Sequence, residues 1–142
     1  MENNTQLLQD IYKSSQLGEE SLKALIKNVT DPDLRNDLQR QMSGYCDIHL
    51  KAKSEILKSG GSPKENDGLK KLAANMGVKV NTLTNKTTSH LDEMAIEGST
   101  MGIVDITKTL NLHSNPSAVT EKLANDMLKF EQKNIEHLKS YL

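Results

Sequence analysis

Three prolines divide the chain into helical segments, and this division most constrains the fold. They occur in "DPDL", "SPKE" and "NPSA", directly after Asp31, Ser62 and Asn115. A short polar side chain can accept hydrogen bonds from the exposed N–H groups of a helix start, and proline suits the first helical position. Helices are therefore predicted to begin near residues 32, 63 and 116. Ser62 and Glu65 also have the spacing of a capping box.

The predicted helices cover residues 5–29, 32–59, 63–76, 82–111 and 116–142. The second is expected to stop at "SGG", and the short helix after it at Gly77, where glycine adopts a left-handed conformation at little cost. "VKVN" is predicted to be an extended connector whose Asn81 caps the next helix. No strand-like alternation of useful length appears in the sequence.

Four of these helices are long and amphipathic. At about 100° per residue, the second helix gathers Leu34, Leu38, Met42, Tyr45, Leu50, Ala52, Ile56 and Leu57 on one side. The last helix gathers Val119, Leu123, Met127, Phe130, Ile135, Leu138, Tyr141 and Leu142 in the same way. This pattern predicts an all-α protein, with residues 1–142 forming a single four-helix-bundle domain that has a short extra helix between its second and third long helices. The long connection favours a crossover topology, with a simple up-and-down meander as the alternative.

The second and last helices resemble each other in sequence. A shift of 85 residues places Leu38 on Leu123, Met42 on Met127, Tyr45 on Phe130, Cys46 on Glu131 and His49 on Asn134. Cys46-x-x-His49 and Glu131-x-x-Asn134 therefore occupy matching inner positions of two helices. We interpret this register as an internal duplication and expect the two helices to be related by a pseudo-twofold axis.

Composition excludes several classes of function. The 18 basic and 19 acidic side chains nearly cancel, so no field attracts nucleic acid or an anionic membrane. The N-terminus lacks a signal-peptide pattern, and no apolar stretch approaches the roughly 20 residues of a membrane helix. The single cysteine, Cys46, cannot form an intrachain disulfide and fits a reducing compartment. We expect a cytoplasmic protein that binds neither nucleic acid nor membrane.

The residues at these matching positions resemble the metal-ligand motifs of the ferritin-like di-iron bundles. Those proteins carry a glutamate on the first and third long helices and Glu-x-x-His on the second and fourth. Here the second long helix has Cys46-x-x-His49 and the last has Glu131-x-x-Asn134, so each motif keeps one of its two ligands. The third long helix, "MAIEGSTMGIVDITK", is also similar to that of small bacterial ferritin-like proteins. The resemblance implies the fold and a degenerate di-iron motif.

Two interpretations of these residues remain open. If a metal binds, the resemblance and the helix register offer Glu19, Cys46, His49, Glu97, Glu131 and Asn134 as ligands, and iron or another divalent metal as the ion. The favoured interpretation has no metal and no other cofactor. In it Tyr45, His49, Glu131 and Asn134 form a polar layer in the core, because buried polar groups need hydrogen-bond partners.

The segment "GSTMG" suggests close packing. Gly98 and Gly102 each cost roughly 1 kcal/mol of helix stability relative to alanine, and two glycines one turn apart let a neighbouring helix approach. Ile96, Ile103 and Leu110 point away from the Met94–Met101 face, which gives this helix a second apolar side. A helix that is apolar on two sides usually buries both. The stripe of Ile96, Ile103 and Leu110 is therefore a candidate subunit interface.

No catalytic motif appears in the sequence: there is no phosphate-binding glycine loop, no zinc spacing and no supported catalytic triad. The favoured hypothesis is a ferritin-like bundle that lacks a working di-iron centre and acts through protein contacts, as a homo-oligomer or with another protein, rather than as an enzyme. The alternative is a metal-binding or oxidase-type bundle with an unorthodox ligand set.

Overall fold

The structure is a computed structural model that describes residues 2–64, 67–113 and 115–142, with side chains for 5–64, 70–113 and 115–142. Glu65, the second member of the expected capping box, lies outside these residues. The helices are α1 (Glu2–Ile26), α2 (Pro32–Lys58), α3 (Asp67–Asn81), α4 (Thr88–Leu112) and α5 (Ala118–Leu138), followed by a 3₁₀ turn at Lys139–Tyr141. The predicted all-α architecture with one short extra helix is confirmed.

The four long helices α1, α2, α4 and α5 form the bundle. Both α2 and α4 pack against α1 and α5, so α2 and α4 occupy opposite corners. The connection between them therefore crosses the bundle, which agrees with the crossover topology favoured by the sequence. α3 lies within this connection and packs on the outer side of α1.

The start of α2 follows the expected capping chemistry, whereas the later helices begin further along the chain than predicted. Residues 63 and 64 precede α3, which begins at Asp67. The Asp31 carboxylate accepts a hydrogen bond of 3.0 Å from the Leu34 N–H, and α2 begins at Pro32 as predicted. Ser117 caps α5, which begins two residues after the predicted position. The prediction that Asn81 caps α4 is wrong, because the cap is Thr87. "VKVN" is not extended either: it forms the last turn of α3, in which Val80 is fully buried.

The core follows a regular spacing of three and four residues along the helices. On α2 the buried residues are Leu34, Leu38, Gln41, Tyr45, Ile48, Ala52 and Ile56. Leu50 and Leu57 were expected on this face, but they are 51% and 53% exposed. Leu50 follows the buried Ile48 by two residues, which turns it to the opposite side of the helix.

Two glycines allow close approach at the centre of the bundle. The rings of Tyr45 on α2 and Phe130 on α5 meet edge to face, with centroids 4.9 Å apart. A Cβ atom at Gly44 would lie 2.3 Å from the Phe130 ring, and one at Gly18 of α1 would lie 2.6 Å from the Tyr45 ring. Tyr45 and Phe130 are equivalent under the 85-residue shift. The two rings are in direct contact, and the pseudo-twofold relation between α2 and α5 stays a prediction.

Several large apolar side chains remain exposed on the outside of the bundle. On α4 these are Met101, Val104 and Leu112, with exposed fractions of 64%, 44% and 79%. They recur at spacings that place them on one side of the helix. In the described part of the chain, no helix combines the length and the apolar character needed to cross a membrane.

Replacing Gly44 by alanine tests the α2–α5 contact. The added methyl group overlaps the Phe130 ring, so we expect Gly44→Ala to lower the free energy of unfolding by about 1–3 kcal/mol. Gly77→Ala is the control, because a Cβ at this position in α3 meets no described atom within 4 Å. The control should raise stability by up to about 1 kcal/mol through helix propensity. Equal effects of the two substitutions in urea unfolding would contradict the contact.

Candidate functional site

Four polar side chains from three helices are buried together in the middle of the bundle. Tyr45 comes from α2, Ser99 from α4, and Glu131 and Asn134 from α5. Each is at most 4% exposed. Glu131 and Asn134 share one face of α5 because they are three residues apart. Of the residues expected in a polar layer, the structure thus groups Tyr45, Glu131 and Asn134, and it adds Ser99.

Burial controls the protonation of this cluster. Removal from water raises the pKa of the Glu131 carboxyl from 4.5 to about 7, and the neighbouring Tyr45 and Ser99 hydroxyl groups oppose the rise by hydrogen bonding. The pKa of Tyr45 is raised well above its usual value by its burial and by the charge of Glu131. Near neutral pH the carboxyl therefore exchanges readily between its neutral and ionised forms.

The cluster leaves hydrogen-bonding capacity unused. Oε2 of Glu131 and Nδ2 of Asn134 are both buried without a hydrogen-bond partner among the described residues. On the side of α4, a Cβ at Gly102 would lie 3.1 Å from both Cδ and Oε2 of Glu131. Gly102 thus provides the space that the carboxyl occupies. An unpartnered buried oxygen costs about 1–3 kcal/mol, and more when it is charged.

His49 was expected in the same polar layer, but the structure places it in a second cluster between α1 and α2. Its Nδ1 lies 3.2 Å from Oε2 of Glu19, although this nitrogen makes no aligned hydrogen bond to a described residue. The Tyr12 ring packs edge-on against the imidazole, with centroids 5.6 Å apart. α2 contacts α1 on one side and α5 on the other, and these two contacts show that His49 lies on the side of α1.

Cys46 belongs to this second cluster. One ligand atom from each of Glu19, Cys46 and His49 lies within 4.8 Å of the other two, and among the described residues they form the only such group of three or more. Burial, followed by the charges of Glu19 and Asp47, raises the pKa of the Cys46 thiol. Without a bound cation the sulfur is therefore protonated and a poor nucleophile.

The remaining candidate residues on α4 have different surroundings. Glu97 is exposed, and it joins neither cluster. The expectation that Gly98 packs against a neighbouring helix is wrong, since a Cβ there would meet no described atom within 4 Å. Ile96 and Leu110 are partly buried against the core of the same chain, and Ile103 is partly buried as well. This stripe is therefore less available to a second subunit than the sequence suggested.

Sequence reasoning missed Ser99 and a second buried carboxyl, Asp92. Asp92 is fully buried, both of its carboxyl oxygens lack a hydrogen-bond partner among the described residues, and burial raises its pKa to about 6. Both residues follow the helical spacing of the buried face, which runs Asp92, Ala95, Ser99 and Ile106. A search for polar residues in the core register would have found them.

Comparison with known proteins identifies the fold. The chain is similar in structure to a dodecameric thioferritin, the bacterioferritin-related protein from Bacteroides fragilis, with a TM-score of 0.77 and 13% identity over 99% of this chain and 84% of that chain. It is also similar to a mutant of Dps1 from Mycobacterium smegmatis, with a TM-score of 0.73 and 19% identity over 97% of this chain and 96% of that chain. No protein-family model and no curated protein sequence matches the chain.

The raised pKa of Glu131 predicts a pH-dependent stability. Between about pH 4.5 and pH 7 the folded protein holds a proton that the unfolded chain releases, so this group's contribution to stability falls as the pH rises through that interval. At about 1.4 kcal/mol per pH unit the loss is roughly 3 kcal/mol. We expect Glu131→Gln, measured by urea unfolding, to remove this slope and to gain stability relative to wild type as pH rises.

The control for this prediction is Glu136→Gln on the same helix, because Glu136 is 66% exposed. The comparison between variant and wild type also removes the contribution of Asp92, which all the proteins share. If wild type and Glu131→Gln keep a constant difference in unfolding free energy from about pH 4.5 to pH 8, the carboxyl does not titrate as described.

Proposed function

From this ferritin-like fold, we propose that the protein is a bundle subunit that lacks a di-iron centre and acts through protein contacts, as a homo-oligomer in the cytoplasm. The observation that carries the proposal is the division of its potential ligands between two clusters. Glu131 is surrounded by Tyr45, Ser99 and Asn134, which are hydrogen-bonding groups. Glu19, Cys46 and His49 lie together between α1 and α2.

The residues around Glu131 do not fit a pair of iron ions. A di-iron centre needs several carboxylates and imidazoles that converge on one point. Glu131 belongs to no group of three or more His, Cys, Asp or Glu side chains with adjacent ligand atoms among the described residues. The phenol, hydroxyl and amide beside it favour a hydrogen-bonded carboxyl instead. A polar layer of this kind fixes the register of α2, α4 and α5.

The exposed apolar side of α4 supports self-association. Met101, Val104 and Leu112 expose large apolar side chains on one side of the helix, and a neighbouring subunit would remove them from water. The structurally similar thioferritin from Bacteroides fragilis is a dodecamer. We therefore assign the subunit contact to Met101, Val104 and Leu112, in place of the stripe formed by Ile96, Ile103 and Leu110.

A second candidate function is zinc binding by Glu19, Cys46 and His49. A sulfur, an imidazole and a carboxylate suit zinc better than they suit iron pairs. A tetrahedral zinc ion with bonds of about 2.0–2.3 Å needs its ligand atoms roughly 3.5 Å apart. The three ligand atoms already lie within 4.8 Å of one another, so small side-chain movements would bring them to the spacing that zinc requires.

Metal analysis distinguishes these proposals. Protein purified without chelators should contain less than stoichiometric iron, and Glu131→Gln should leave its metal content unchanged. Stoichiometric iron that is lost in Glu131→Gln would contradict the absence of a di-iron centre. Stoichiometric zinc that is lost in His49→Ala and kept in Glu131→Gln would establish the second candidate.

Sedimentation tests the subunit contact. The double substitution Val104→Glu and Leu112→Glu places two charges on the exposed side of α4, so we expect a lower molecular mass at matched concentration, with an unchanged helical circular dichroism spectrum. Gln132→Glu, at an exposed position on α5, is the control and should keep the wild-type mass. Ile103→Glu is less suitable, because its partly buried side chain also contributes to the stability of the single chain. A monomeric wild-type protein, or an unchanged molecular mass in the double variant, would contradict this subunit contact.

A further inference from the structure

A cavity of about 220 Å³ lies between α1, α3 and α4. Its walls are mainly apolar and include Leu22 and Leu25 from α1, Met76 from α3, and Met94 from α4. An engineered cavity of about 150 Å³ is large enough to hold benzene. This cavity therefore has room for a ligand slightly larger than one aromatic ring.

The Glu131 carboxyl lies at the inner wall of this cavity. α4 separates the cavity from α5, but its small residues Ser99 and Gly102 leave a gap at this point. Glu131 is only 1% exposed, and its Oε2 lacks a hydrogen-bond partner among the described residues. A ligand that donates a hydrogen bond to Oε2 would remove the cost of leaving this buried oxygen unpaired.

The charges around the cavity favour a cation. Glu97 and Asp105 on α4 line it together with Glu131, whereas Lys79 on α3 is the only basic residue among the lining side chains described. Two further polar groups, the hydroxyls of Ser14 and Ser21, line the α1 side. A carboxylate ligand would meet like charge at the inner wall, while an ammonium group would meet opposite charge there.

We propose that this cavity binds a small organic ammonium compound, with its apolar body between α1, α3 and α4 and its ammonium group donating to Glu131. All the lining residues belong to one chain, and Met101 is shared with the proposed subunit contact. The proposal rests on the absence of a di-iron centre, because iron bound at Glu131 would occupy the same carboxyl, and the metal analysis above tests that absence separately from ligand binding. The proposed ligand site explains the glycine at position 98, which helix packing does not explain. Gly98 lines the cavity, and its missing side chain leaves the space open.

Three ligands of similar shape test the charge preference: benzylamine, benzyl alcohol and benzoate. Binding is to be measured by calorimetry at about pH 8, where the amine is protonated and Glu131 is largely ionised. Benzylamine should bind with a Kd of about 1 mM or tighter, a range accessible to a ligand of this size. Benzyl alcohol should bind at least about tenfold more weakly, and benzoate more weakly still.

Methionine methyl resonances locate the bound ligand. Met76, Met94 and Met101 line the cavity, whereas Met42 and Met127 do not. Benzylamine should therefore shift the methyl signals of the first three residues and leave those of Met42 and Met127 nearly unchanged. Shifts confined to other methionines would place the amine elsewhere and contradict the proposed site.

Two substitutions separate the charge from the shape of the site. Glu131→Gln keeps the side-chain size and removes the charge, so benzylamine should bind at least about tenfold more weakly while benzyl alcohol changes little. Gly98→Leu fills the cavity from a position where the Cβ meets no described atom, so it should abolish the binding of both ligands. Gly77→Leu is its control, since Gly77 also has open space around it and does not line the cavity.

Each remaining outcome contradicts the proposal. If wild-type protein binds none of the three ligands at about 10 mM, the cavity is not an amine site. If benzoate binds as tightly as benzylamine, the charge argument is wrong. If Glu131→Gln or Gly98→Leu folds normally by circular dichroism and still binds benzylamine at wild-type affinity, the ammonium group does not contact Glu131 in this cavity.

Discussion

The burial of the Glu131 carboxyl is the constraint on which the centre of the bundle depends. The carboxyl needs space on α4, which Gly102 provides, and hydroxyl groups nearby, which Tyr45 and Ser99 provide. Tyr45 in turn needs Gly18 on α1, because any Cβ there would overlap its ring. One buried acid thus links the packing of all four long helices. Such coupled requirements fix helix register more strongly than apolar contacts, which tolerate many rearrangements.

Helical periodicity and capping chemistry were sufficient to predict most of the fold. α2 begins at Pro32 and ends before "SGG", where Gly60 has a φ of 86°, because both ends carry strong local signals. The sequence predicts the short helix over residues 63–76, whereas α3 runs from Asp67 to Asn81 and continues through Gly77, where the sequence predicts its end. Glycine permits a helix end without requiring one. Val80 is fully buried, so its burial stabilises the last turn of α3 beyond that glycine.

The candidate site was predictable only in part, and His49 shows the physical reason. Spacing along α2 correctly indicates that Cys46 and His49 share a face of the helix. It does not indicate which neighbouring helix that face meets, because a helix in a bundle contacts two neighbours at once. His49 meets Glu19 of α1, whereas Tyr45, one residue before Cys46, meets Glu131 of α5. Tyr45 and His49 are four residues apart and only about 40° apart around the helix, so periodicity alone does not separate the two clusters.

The free-energy cost of burying the Glu131 carboxyl connects the packing of the bundle with the proposed ligand site. At neutral pH its buried carboxyl is partly ionised, and one of its oxygens lacks a hydrogen-bond partner among the described residues. Glutamine has nearly the same shape and no charge, so stability alone would favour it at this position. A glutamate has an advantage only when an opposite charge approaches it closely. The cavity that Gly98 and Gly102 line also reaches Glu131, so a positive charge inside it can approach the carboxyl. The same small residues that make room for the acid therefore also open it to a cationic ligand.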